Sequence, residues 1–100
     1  MSATPTLFYR GSAATSSATL YTVPSSTTSV LTDIVISNTS SNQEYVTITV
    51  DGINLIPTIP VSANTVLNFQ FKTVMATTKI IAGYATSTSV KFHISGVETA

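Results

Sequence analysis

The chain has 100 residues, four basic and four acidic side chains, a formal net charge of zero and no cysteine. That length holds one domain. The scattered cations Arg10, Lys72, Lys79 and Lys91 make no phosphate-binding patch, and the missing thiols exclude disulfides, thiolate zinc sites and cysteine nucleophiles.

Charged residues are 8% of the chain, against about a quarter in ordinary domains. Serine and threonine fill the difference at about a third of all residues, and β-branched threonine suits the solvent face of a strand better than that of a helix. The opening Met-Ser-Ala-Thr-Pro lacks the basic and apolar regions of a signal peptide. No apolar run reaches the roughly 20 residues of a membrane span, so neither nucleic acid nor a membrane is expected as a partner.

Leu7–Arg10 reads as a short strand or arm, followed by the small, polar loop Gly11–Ser17. Residues 1–17 are therefore expected to form an N-terminal arm and loop ahead of a β-sandwich over 18–100. Thr19–Val23 is a strand stopped by Pro24, and Ser25–Thr28 is a turn. Val30–Ser37 is a strand rich in β-branched residues, and Asn38–Gln43 is a turn cluster without an apolar side chain. Glu44–Val50 alternates most clearly: Val46, Ile48 and Val50 fall on one face, Tyr45, Thr47 and Thr49 on the other. Asp51-Gly52 then marks a type I′ hairpin, since both residues tolerate positive φ.

The return strand, Ile53–Ile59, contains Pro57, which cannot donate to a ladder; this strand belongs at an edge or at a bulge. Val61–Asn64 turns, and Val66–Lys72 alternates with Leu67, Phe69 and Phe71 inward. Met75–Tyr84 is a mixed segment and Ala85–Ser89 a turn. Val90–Val97 closes the chain with Val90, Phe92 and Ile94 on one face and Lys91, His93 and Ser95 on the other. No segment carries a helical apolar stripe. Seven or eight short strands at intervals of about ten residues predict an all-β chain, a single antiparallel β-sandwich of jelly-roll or immunoglobulin-like type.

Chemistry is sparse. His93 is the only histidine; it falls on a polar strand face with no carboxylate beside it in sequence, so it reads as a surface residue rather than a base or metal ligand. The acids Asp33, Glu44, Asp51 and Glu98 have neither calcium-loop nor glycosidase spacing, although folding could still gather them around a calcium ion. No serine sits in a nucleophile elbow, and no phosphate-binding glycine motif occurs. The expectation is a non-enzymatic protein with no catalytic, cofactor or metal site. Asn38-Thr39-Ser40 matches a glycosylation acceptor, a motif common by chance. Phe8, Tyr9 and Arg10 are the candidate partner-binding residues: they either cover one end of the sandwich or dock an arm on a neighbouring subunit, since aromatic and arginine side chains anchor interfaces.

The order of motifs resembles a family of small β-rich bacteriophage virion proteins. The residues that carry the resemblance are Leu20–Pro24 (LYTVP), Val30–Thr39 (VLTDIVISNT), Pro60–Thr65 (PVSANT) and His93–Glu98 (HISGVE), and it covers about four-fifths of the chain. It departs at Ser25-Ser26, where members carry Ala-Gly-Lys, so no lysine contact at this turn carries over. The resemblance implies a virion structural component: a capsid decoration (cement) protein, a head fibre or a tail-associated module. The chain length favours decoration. The implied partners are the major capsid protein and copies of the chain itself, a homotrimer ahead of a dimer. The implied location is the capsid surface after synthesis in the host cytoplasm. A tail- or fibre-associated adhesion module binding a host receptor or glycan is the alternative.

Overall fold

Alternating apolar residues cut by turn clusters produce strands throughout. The computed structural model describes residues 3–99, and these contain eight strands and no helix. They are β1 (Ala3–Ser12), β2 (Ala18–Thr22), β3 (Thr28–Asn38), β4 (Glu44–Val50), β5 (Ile53–Val61), β6 (Thr65–Met75), β7 (Ile80–Ala85) and β8 (Val90–Thr99). Two four-stranded sheets form, in the orders β1-β8-β3-β6 and β2-β7-β4-β5. Every pairing is antiparallel.

The pairings are nested. β1 pairs with β8, β2 with β7, β3 with β6 and β4 with β5. The chain is thus one long hairpin ribbon whose tip is the β4–β5 turn. There Asp51 and Gly52 hold φ of 60° and 79°, the left-handed pair a type I′ turn requires. Pairing of β3 with β8 and of β4 with β7 rolls the ribbon into two layers.

The central strands supply the core. Leu31, Ile34 and Ile36 of β3, Val46 and Ile48 of β4, Ile81 of β7, and Val90, Phe92 and Ile94 of β8 are fully buried. Edge strands contribute half-buried side chains: Leu67, Phe69 and Phe71 of β6 point inward as the alternation predicts, but have no neighbouring strand on one side to cover them. Pro57 lies on β5, an edge strand that is also bulged against β4.

The N-terminal segment differs from expectation. Residues 3–12 form a ten-residue strand paired along its length with β8, so they belong to the sandwich and are not an arm outside it. Met1, Ser2 and Ala100 lie outside the described residues. Pro5 and the small polar residues around it resemble a loop by composition. They are accommodated because β1 is an edge strand and needs ladder partners on one side only. The mixed segment Met75–Tyr84 resolves into the buried end of β6, a turn over 76–79, and β7.

Gly96 of β8 is closely flanked by both neighbouring strands. A Cβ there would overlap the Val30 carbonyl oxygen of β3 and come within 2.6 Å of the Phe8 ring of β1. Register shifts flank this position on both sides, between Leu7 and Tyr9 of β1 and between Leu31 and Asp33 of β3. Each neighbour carries one extra residue beside Ser95, β1 between the partners of Ile94 and Ser95 and β3 between those of Ser95 and Gly96, so the first sheet is bulged along this line.

Candidate functional site

The paired bulges re-aim side chains. In β1, Phe8 turns inward while Leu7 and Arg10 face out; in β3, Leu31 is buried and Asp33 emerges beside Ser95. The outer face of the first sheet therefore carries an open groove of about 400 Å³, walled by Leu7, Arg10, Thr32, Asp33, Ser95 and Val97. It offers one cation, one carboxylate, three hydroxyls with Thr6 included, and the apolar side chains of Pro5, Leu7 and Val97. Leu7 is half exposed, at 51%, in a position where a strand would ordinarily show a polar side chain.

Hydrogen bonds fix the groove's polar wall. Arg10 Nε donates to His93 Nδ1 at 3.0 Å across the β1–β8 pair. Thr32 Oγ1 lies 3.1 Å from Asp33 Oδ2 and 3.3 Å from the Ser95 carbonyl oxygen, and donates its single proton between them. Further along the same face Lys91 Nζ donates to Ser12 Oγ at 2.7 Å. The His93 ring is thus engaged by a guanidinium, and beside this pair the groove presents hydrogen-bonding and apolar groups on one face. Among the described residues no group of three or more acidic, histidine or cysteine side chains gathers where it could hold a metal ion.

The three candidate partner-binding residues separate. Phe8 is 7% exposed and stacks on Tyr21, with ring centroids 4.0 Å apart and planes at 15°; it closes the seam between β1 and β2 and is not available to a partner. Tyr9 is half-buried against the core, and its hydroxyl donates to the Ser12 carbonyl at 2.7 Å. Arg10 alone faces the groove. Leu7 and Asp33 join it there because of the bulges, which strict alternation does not reveal.

Two further polar clusters are structural. The Tyr21 hydroxyl donates to Glu98 Oε2 and lies 2.8 Å from Ser29 Oγ, joining β2 of the second sheet to β8 and β3 of the first. Burial, and then the Glu98 contact, push its pKa up from 10 to about 12. At the loop end, Asn38 is 2% exposed. Its Nδ2 donates to the carbonyls of Asn42 (2.9 Å) and Val61 (3.0 Å), while Oδ1 accepts from the Ser40 backbone N–H at 2.9 Å. The amide nitrogen that the glycosylation motif would offer is thus occupied inside the fold.

Compared with known proteins, the chain matches no family model, no curated protein and no solved structure.

Proposed function

We propose that this chain is a non-enzymatic virion structural protein of jelly-roll type, and that it decorates the outer surface of an assembled major capsid lattice. The observation that carries this reading is the nested strand order, β1-β8-β3-β6 over β2-β7-β4-β5. A hairpin ribbon rolled into two four-stranded sheets is the jelly-roll plan, an architecture used by viral capsid and lectin domains. The resemblance of Leu20–Pro24, Val30–Thr39, Pro60–Thr65 and His93–Glu98 to small phage virion proteins supports the same assignment.

Decoration needs recognition and no chemistry. The groove around Arg10, Asp33 and Leu7 provides charge-assisted and apolar contacts for a segment of the capsid protein. A subunit that binds only the assembled shell stabilises it by mass action, and a symmetric oligomer of the chain would match local lattice symmetry.

A tail- or fibre-associated adhesion module is the second reading, favoured by Tyr45. Its ring is exposed on the outer face of β4 at the loop end, and Gln43 Nε2 donates to its hydroxyl at 3.1 Å. An exposed aromatic ring with an amide beside its hydroxyl suits a sugar.

Particles made by the genome that encodes the chain separate the two. Quantitative mass spectrometry counts the copies against the major capsid protein, and gold-labelled antibody places them. A fixed ratio with label spread over the shell is expected. Label confined to the tail would transfer the chain to the adhesion reading, and its absence from purified particles would overturn both.

A further inference from the structure

The sandwich has four sheet edges, and three of them are blunted against pairing with another chain. β1 carries Pro5 and a bulge at Leu7/Tyr9. β2 is five residues long and bulged. β5 carries Pro57 and Pro60, two register shifts and a residue, Thr58, at φ 46°. Proline, bulges and shortness are the devices by which proteins close an edge. β6 has neither proline nor short length: it runs eleven residues, and its side chains alternate strictly in exposure from Thr65 to Val74. It is bulged once, with one residue more between Gln70 and Thr73 than β3 has between Leu31 and Asp33, but its alternation in exposure continues through the bulge. Along its free edge every second residue turns its N–H and C=O to solvent.

The seam beneath this edge is also open. On the β1–β2 side, the Phe8–Tyr21 stack and the Tyr21–Glu98 hydrogen bond close the gap between the sheets. On the β5–β6 side, Leu55, Ile59, Leu67, Phe69 and Phe71 remain only partly buried. The Phe69 and Phe71 rings stack on each other along one strand, 6.2 Å apart, and not across the seam.

The β6 sequence, Thr-Val-Leu-Asn-Phe-Gln-Phe-Lys-Thr-Val-Met, repeats itself about Gln70 at two pairs of positions, Phe69/Phe71 and Val66/Val74. Antiparallel pairing of two copies about a two-fold axis at Gln70 sets Val66 against Val74, Asn68 against Lys72 and Gln70 against its own counterpart on the outer face. Phe69 meets Phe71 on the inner face. Val66 and Val74, exposed at 61% and 70%, are the two large apolar side chains β6 leaves in water, and this register brings each to the other. Lys72, the strand's only charge, meets an amide and no second lysine. A two-fold interface requires such self-complementarity: residue i meets j, and j meets i.

We infer that the free edge of β6 is an interface for a second copy of this chain, paired antiparallel about Gln70 into a continuous eight-stranded sheet. The symmetry is two-fold, not the three-fold that the family resemblance implies. The inference rests on the edge itself and holds whether the protein acts on a capsid, on a tail or elsewhere.

Sedimentation equilibrium of the whole chain over a concentration series reads the outcome. The wild type is expected to show a reversible monomer–dimer equilibrium. Q70K sets like charges opposite at the axis and is expected to shift the chain to monomer; since Gln70 is exposed, its melting temperature should equal that of the wild type at concentrations where the wild type is itself monomeric. A charge pair then tests the register: at low salt V66K/V74E should dimerise about tenfold more tightly than V66K/V74K, because only the first sets opposite charges across the axis. A wild type that stays monomeric at every concentration overturns the inference, and so does a trimer. A dimer indifferent to Q70K, or equal affinities for the two charge variants, overturns it as well.

Discussion

Replacing Gly96 by alanine adds a single methyl group between β8 and its two neighbours in the first sheet. That methyl meets two obstacles of different kinds. The Phe8 ring, 2.6 Å away, can rotate only by leaving its stack on Tyr21, and the Val30 carbonyl oxygen is backbone in a central strand and cannot rotate at all. Overpacking of a core costs about 1–3 kcal/mol, and a backbone obstacle places this case at the upper end. Loss of the aromatic stack adds about 1 kcal/mol. The expected destabilisation is therefore about 3–4 kcal/mol, a large fraction of the 5–15 kcal/mol that holds a small domain together. For a chain of this length that corresponds to a fall in Tm of roughly 12 °C or more. Urea titrations of wild type and G96A, followed by circular dichroism, give the difference directly. G52A is the control: Gly52 has nothing within 4 Å of its Cβ position, so its cost is only the left-handed backbone penalty, about 1–2 kcal/mol. The double variant F8A/G96A should remain less stable than F8A alone, because removal of the ring leaves the Val30 oxygen in place. G96A within about 0.5 kcal/mol of wild type, the range of a neutral surface change, would refute the close approach of β1, β8 and β3.

The remaining expectations concern the polar clusters and the groove. Y21F removes the hydroxyl shared by Glu98 and Ser29 and should cost about 1–2 kcal/mol in chemical denaturation. The fold holds the neutral phenol, whereas unfolding returns it to a pKa of 10; Tyr21's contribution to stability should therefore be level below pH 10 and decline as the pH rises towards about 12. Denaturant titrations across that range should show a smaller decline in Y21F. N38A strands the carbonyls of Val61 and Asn42 and should cost about 2–3 kcal/mol, with faster amide exchange over residues 39–43 by mass spectrometry. R10A and F8A should divide function from folding. The first leaves Tm within a degree or two and weakens binding to purified capsids about tenfold; the second removes a buried ring and costs about 3–5 kcal/mol.

What the sequence made legible was local. Asp51-Gly52 announces its turn because two left-handed residues are needed there and few residue types accept that. Val46, Ile48 and Val50 announce an inward face, and Pro57 announces an edge. The features that shape the groove are not local. Phe8 looks like one of a run of three presentable side chains, and only the bulge opposite Ser95 sends it inward while Leu7 and Arg10 stay out. Thr47 sits at a solvent-face position by alternation, yet it is buried: the bulge in β5 at Pro57-Thr58 brings Thr58 Oγ1 within 2.8 Å of its own hydroxyl. Asn38 reads as the start of a polar turn and is instead the buried organiser of the loop end, satisfied by carbonyls four and 23 residues away. Each of these depends on what stands opposite in a ribbon that pairs residue 3 with residue 99, and a one-residue slip in such a ladder exchanges the two faces.

The groove and the open edge lie in the same sheet, on different strands, and that placement makes the two proposals compatible. The groove is built on β1, β8 and β3, while β6 closes the other end of the sheet order. An antiparallel β6–β6 pair has its two-fold axis perpendicular to the sheet, so both copies turn the same face outward. The joined sheet runs β1-β8-β3-β6 and then the same order reversed, which puts the two β8 strands five spacings apart, roughly 24 Å at about 4.8 Å per strand. Two weak sites held at a fixed distance on one surface bind a repeating lattice far more tightly than either binds a free subunit, because the second contact is made at high effective concentration. A groove this open, with one arginine and one carboxylate, is poorly suited to tight binding alone and well suited to that arrangement. Selectivity for an assembled shell would then lie in the spacing between the two sites rather than in any additional contact within them.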